Sequence, residues 1–167
     1  GPLRALAVTE LAPERLALAS LDEHGALTLH LIDVADSDRD LPLMAASGLE
    51  RAQDALAMAW TGVRAERYGT ERVLMIVTRS GDSGQLTQWA ARPDSPQLAR
   101  RDLVDLHAQP IRAGAGPSLL ALPTGELCGV FPDAEGHIRL FVYRPERDAW
   151  QDLSADAFDA ALGPRTA

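Results

Sequence analysis

The chain has 167 residues, of which 46% are hydrophobic and 24% charged, so it is long enough for one domain with its own core and too apolar for a disordered chain. A formal net charge of −8 at pH 7, with 16 dispersed basic residues, disfavours direct binding to nucleic acid. The sequence contains no run of 18 apolar residues that could span a bilayer. The single cysteine, Cys128, excludes an internal disulfide and a multi-cysteine metal site.

A short pattern occurs three times along the chain and predicts three β-hairpins. Each copy begins with an apolar stretch, turns at a segment with an acid and a glycine, and continues as Gly-x-Leu/Ile-Thr/Arg into a second apolar stretch. The copies cover residues 16–33, 73–89 and 127–143. The stretch 73–77 is apolar on both faces, whereas the second stretches partly alternate, so one strand of each pair is expected to be more deeply buried.

Aspartates and glycines in the turns of these hairpins are predicted to stabilise the turns. An aspartate at the first turn position can accept backbone N–H groups, and a glycine at the end permits a positive φ. The predicted turn residues are Asp22, Gly25, Asp82, Gly84, Asp133 and Gly136. Because the glycines at 25, 84 and 136 are 59 and 52 residues apart, the spacing indicates a repeat architecture.

Further apolar segments flank each hairpin and complete a set of four short strands. Segments at 5–8, 55–60 and 118–122 precede the hairpins, and segments at 41–44 and 98–104 follow the first two. Four strands per 50 to 60 residues is the layout of a β-propeller blade. The chain is therefore predicted to be a single all-β domain over 1–167. Its blade-like units are predicted at about 3–48, 49–112 and 113–153.

One stretch supports a different fold. Residues 47–50 read Ser-Gly-Leu-Glu, a helix capping box, and the apolar residues after them follow helical spacing as far as Gly69. A helix over 48–68 would make the chain an α+β domain of ββαβββα order, like a small sensor or profilin-like domain. Against this, Thr61-Gly62 would interrupt the helix, and 55–60 has strand-like counterparts in the other two units.

The C-terminal region predicts a helix in either fold. Residues 154–162 follow a helical pattern, with Ser154 as the N-cap and Gly163 as the stop. This short helix would follow the last blade-like unit.

The chain resembles WD-repeat β-propellers. Residues 136–142, Gly-His-Ile-Arg-Leu-Phe-Val, are similar to the family's last blade string, and 59–62 and 122–125 look like its first turn. The terminal Trp-Asp pair is kept by halves, as Ile32-Asp33 and Trp89-Ala90, and no unit keeps the whole His/Asp/Ser/Trp hydrogen-bond set. The resemblance implies a propeller with a divergent signature.

Three blades are too few for a closed ring, because closed propellers carry about four to eight. An open array would expose apolar sheet faces and strand edges to water. We therefore expect a protein partner, a second copy of the chain or further sequence of a longer parent protein to complete the fold.

The sequence contains no pattern that predicts catalysis. The four histidines have no metal-ligand spacing, and no nucleophile elbow, phosphate loop or dinucleotide fingerprint occurs. We expect a cytoplasmic, non-enzymatic interaction scaffold without a cofactor, a nucleic-acid partner or a membrane. The alternatives are a lectin-like carbohydrate-binding propeller and the small α+β sensor or adaptor domain. The candidate ligand or partner contacts are Trp150 and His107.

Overall fold

In a computed structural model, residues 2–35, 44–46, 53–92 and 98–155 are described, with the backbone alone for 44–46. These residues form twelve strands and one short helix, and the strands form three antiparallel sheets of four strands each. Within every sheet the strands are ordered as they occur along the chain. The prediction of a mainly β chain is thereby confirmed.

The elements have the following bounds. Sheet 1 consists of β1 (Leu3–Ala12), β2 (Arg15–Asp22), β3 (Leu27–Asp33) and β4 (Met44–Ala46). Sheet 2 consists of β5 (Gln53–Trp60), β6 (Leu74–Ser80), β7 (Leu86–Ala91) and β8 (Ala99–Asp102), with helix α1 (Gly62–Tyr68) between β5 and β6. Sheet 3 consists of β9 (Ser118–Ala121), β10 (Leu127–Pro132), β11 (Ile138–Arg144) and β12 (Ala149–Asp152).

The alternative of one long helix over 48–68 is wrong at residues 53–60. Gln53–Trp60 is strand β5, and only Gly62–Tyr68 is helical. Gly62, at the start of α1, has a φ of +30°, and a Cβ there would overlap the Trp60 ring, so this position requires glycine. The helix ends at Gly69, whose φ is +69°. The capping box at 47–50 lies outside the described residues.

The three sheets stack in chain order through two apolar clusters. One cluster joins sheets 1 and 2 and includes Leu29 and Trp89, and the other joins sheets 2 and 3 and includes Met75 and Phe141. Residues 73–77 are all buried, which confirms that this strand is apolar on both faces because both are covered. Among the described residues neither cluster joins sheet 1 to sheet 3, so the stack is open.

The first strand of each sheet lies at the same side of the stack. Strand β1 packs beside β5, and β5 packs beside β9. We call β1, β5 and β9 the first strands. Beyond β12, Ser154 and Ala155 begin a helical turn, and the rest of the helix predicted at 154–162 lies outside the described residues.

Candidate interaction faces

Two of the predicted turn aspartates hold their own turns. The Oδ1 atom of Asp22 accepts the N–H groups of His24 and Ala26 at 2.8 and 2.9 Å. Asp133 accepts those of residues 135 and 137, each at 2.9 Å. The N–H bonds from Ala26 and His24 hold the pKa of Asp22 below its ordinary value. The carboxylates are therefore used within the turns, next to Gly25 and Gly136 at φ of +80° and +85°.

The second turn is built differently. Asp82 is exposed, and hydroxyl groups take the place of the expected carboxylate: Ser80 Oγ accepts from the N–H of Ser83 at 3.4 Å, and Ser83 Oγ accepts from that of Gln85 at 3.2 Å. Gly84 has a φ of +76°, and a Cβ on it would lie 2.7 Å from the carbonyl oxygen of Ala113. This glycine is needed for the close approach of the two chain segments as well as for the turn.

A further aspartate turn, at Asp105, was missed in the sequence. Its Oδ1 accepts the N–H groups of His107 and Gln109 at 2.8 and 3.0 Å, the same pattern as at Asp22. The available signal in the sequence is an aspartate at the start of the segment Asp-Leu-His-Ala-Gln, which lacks the glycine of the other turns. His107 is exposed on this turn, where a partner could reach it.

Trp150, the other candidate contact, lies inside the protein. It is 1% exposed, its ring packs against that of Tyr143 with centroids 5.1 Å apart, and its Nε1 donates to Gln88 Oε1 at 3.0 Å. The ring therefore offers no face for a sugar, which corrects the expectation of a ligand contact there. The tryptophan is buried because its single polar atom has a buried acceptor on sheet 2.

Asp148 is the centre of the polar contacts that join sheets 2 and 3. Its Oδ1 accepts from Gln88 Nε2 at 2.8 Å and from the Tyr143 hydroxyl at 2.6 Å, and its Oδ2 accepts from Arg101 at 3.0 Å. Although burial opposes the effect, these hydrogen bonds hold the pKa of Asp148 below its ordinary value. Burial and the bond to Asp148 raise the pKa of the Tyr143 hydroxyl. Each group is satisfied by its neighbours, so this network is structural.

The face of sheet 1 that points away from sheet 2 carries exposed apolar side chains. We call it the sheet 1 outer face, and its side chains include Leu6, Val8, Leu16, Leu18, His30 and Ile32, with the exposed Glu10 in the same row as Leu16 and Ile32. Cross-strand pairing places them together, since Val8 is opposite Leu18 and Leu18 is opposite His30. Leu6 and Val8 are 57% and 61% exposed.

The face of sheet 3 that points away from sheet 2 has a similar character. We call it the sheet 3 outer face, and its side chains include Leu120, Cys128, Val130, Ile138, Leu140 and Val142. Leu120 and Ile138 are 61% and 49% exposed, whereas Cys128 and Val142 are buried. Burial raises the pKa of the Cys128 thiol, which lowers the fraction present as the reactive thiolate.

Two clefts open between the sheets. A groove of about 410 Å³ lies where the first strands end, lined by residues that include Leu11, Trp60 and Val63. A cavity of about 460 Å³ lies between sheets 2 and 3, and two of its three carboxylates, Glu71 and Glu126, are paired with arginines. Among the described residues no group of three His, Cys, Asp or Glu could hold a metal ion. Within the same residues no helix is long and apolar enough to cross a membrane.

Comparison with known proteins assigns no family to the chain. No protein-family model matches the sequence, and no curated protein is significantly similar to it. The arguments for a function therefore come from the two outer faces.

Proposed function

We propose that this protein is a non-enzymatic interaction module whose two outer sheet faces bind further β-sheets, so that its own sheets become part of a propeller-like ring. The observation that carries the proposal is the exposure of apolar side chains on both end faces of the stack, Leu6 and Val8 at one end and Leu120 at the other. A soluble chain rarely leaves contiguous apolar patches uncovered unless a partner covers them.

The energetic argument rests on how these residues are grouped. A single exposed leucine is ordinary on a protein surface, because most surfaces are more than half apolar. Here Val8 shares a cross-strand row with Leu18, and Leu120 shares one with Cys128 and Val142. Fully burying one exposed apolar side chain contributes about 1.5–3 kcal/mol, so covering Leu6 and Val8 on one face and Leu120 and Ile138 on the other would favour association.

The arrangement of the strands supports a propeller-like ring. Each sheet is a meander of consecutive strands, and the first strands adjoin in the order β1, β5, β9. In sheet 2, Trp89 Nε1 donates to Thr78 Oγ1 at 3.1 Å, and both residues are buried. This bond is similar to the Trp and hydroxyl part of the hydrogen-bond set in WD-repeat blades.

Site-specific photo-crosslinking in the cells that make the protein tests the proposal. Benzoylphenylalanine replaces Leu6 in one variant and Leu120 in another, and Glu135 on the exposed third turn serves as the control position. We expect discrete protein adducts at both outer faces and none of the same mass at Glu135. Adducts at neither face, or identical adducts at the control position, would contradict the proposed function.

A further inference from the structure

We propose that the partner is a second copy of this chain, with the sheet 3 outer face of each copy packed on the sheet 1 outer face of the other. The inference rests on the proposed function and names the occupant of both faces. Three sheets from each of two copies would then form one ring with two-fold symmetry.

The sheet 1 outer face corresponds in register to a face of sheet 2 that is buried within the chain. Sheet 2 uses its corresponding face to pack on sheet 1, and that face is buried. One row of the sheet 2 face is Leu56, Thr78 and Thr87, and the matching row of sheet 1 is Leu6, Ser20 and Thr28. The next row of sheet 2 is Met58, Ile76 and Trp89, and the matching row of sheet 1 is Val8, Leu18 and His30. Strands β1 and β2 keep apolar or small side chains in these two rows, whereas His30 replaces Trp89 and, in the following row, Glu10 replaces Trp60. The correspondence of the first two rows supports a sheet as the partner of this face.

The sheet 3 outer face repeats the opposite kind of face. Sheet 2 packs on sheet 3 through a row that pairs Ala59, Met75 and Ala90, all buried. The matching row of the sheet 3 outer face pairs Leu120, Cys128 and Val142. Each end of the stack therefore carries the half of an interface that the other end lacks. A contact between unlike ends supplies both halves from the same chain.

Size and closure agree with two copies. Four strands about 4.8 Å apart and six residues long at about 3.3 Å per residue give a face of about 380 Å². Two faces on each of two copies give at most about 1,500 Å², which lies within the range of about 1,200–2,000 Å² for stable protein interfaces. Two copies bring six sheets, inside the usual range of about four to eight, whereas three copies would exceed it. The groove at the ends of the first strands would become half of a central passage.

Size-exclusion chromatography with light scattering on the intact chain tests the inference. At about 100 µM we expect the wild type to have the mass of two chains. Val8→Asp on one face and Leu120→Arg on the other should each weaken the dimer by about 100-fold or more, because each places an uncompensated charge in both interfaces. Val63→Asp is the matched control, since Val63 is 74% exposed on α1 and lies on neither face.

The double variant Val8→Asp/Leu120→Arg separates lost contacts from lost folding. In a contact between unlike ends every interface then contains an aspartate and an arginine, so we expect the double variant to regain dimer relative to either single variant. Thermal unfolding of each variant checks that the exposed positions tolerate the change.

A monomeric wild type at this concentration would overturn the second-copy inference, and so would a dimer that responds to only one of the two faces. If the chain is monomeric while photo-crosslinks at Leu6 and Leu120 capture a different protein, the second-copy inference fails and the proposed function stands. If neither face crosslinks to any protein, both fail.

Discussion

Gln88 carries a buried amide whose removal we expect to lower the free energy of unfolding substantially. Gln88 is 1% exposed; it accepts from Trp150 Nε1 at 3.0 Å and donates to Asp148 at 2.8 Å. Gln88→Leu keeps a side chain of similar size but leaves the indole N–H of Trp150 without an acceptor and removes one donor from Asp148. A buried unsatisfied group costs about 1–3 kcal/mol, and a hydrogen bond to a charged group contributes about 1.5–3 kcal/mol. Part of this is offset by the apolar transfer of leucine, so we expect a loss of about 2–4 kcal/mol.

Urea unfolding followed by tryptophan fluorescence measures this loss. Gln109→Leu is the matched control, because Gln109 is exposed and the same substitution there should change the free energy of unfolding by less than about 0.5 kcal/mol. Trp150→Phe completes a double-mutant cycle, in which we expect a coupling of about 1 kcal/mol or more between positions 88 and 150. A Gln88→Leu variant as stable as the control, or additive effects of the two substitutions, would refute the reasoning that this amide joins sheets 2 and 3.

Three further predictions concern the described turns and the buried groups. Gly84→Ala should lower the free energy of unfolding by about 2–4 kcal/mol, because it adds a contact with the Ala113 carbonyl to the left-handed strain; Gly136→Ala, with open space around it, should cost only about 1 kcal/mol, and equal costs would contradict the contact. Because the pKa of Asp148 is lowered in the folded protein, its contribution to stability is complete above the ordinary value of 3.8 and is lost as the pH falls through the lower folded value. In the Asp148→Asn variant the free energy of unfolding should therefore depend less on pH below about pH 4, as measured by urea unfolding at several pH values. Cys128 should react with a disulfide reagent about 100-fold more slowly in the native protein than in urea, and fast native labelling would show that its strand is not covered.

Local patterns in the sequence were sufficient to predict the hairpins. The stretch 73–77 is apolar at every position because both faces of β6 are buried, and that pattern needs no knowledge of the other sheets. The glycine and aspartate of a turn act within a few residues, so Asp22 and Asp133 could also be placed from the sequence. The alternative of a helix over 48–68 is wrong at 53–60 because helical spacing of alanines and leucines does not exclude a strand, and the pairing of Ala57 with Val77 decides between them.

The burial of side chains between sheets could not be predicted in the same way. Whether Leu120 is covered depends on which sheet packs beside β9, and no periodicity within a strand contains that information. Trp150 illustrates the same limit, since its neighbours in the sequence are polar while its indole reaches Gln88, 62 residues away. The polar residues at 147–152 made Trp150 a candidate ligand contact, but its ring is buried against sheet 2.

Sheet 1 differs from the other two sheets at one row position. His30 occupies the row position that Trp89 holds in sheet 2 and Phe141 holds in sheet 3. A polar ring in that place reduces the apolar area that the free chain exposes to water, and so limits aggregation before assembly. The same substitution reduces the hydrophobic gain on association, since histidine buries less apolar surface than tryptophan. We therefore expect the proposed contact between copies to be weaker than the contacts between sheets within the chain, so the proposed dimer should separate on dilution well before either copy unfolds.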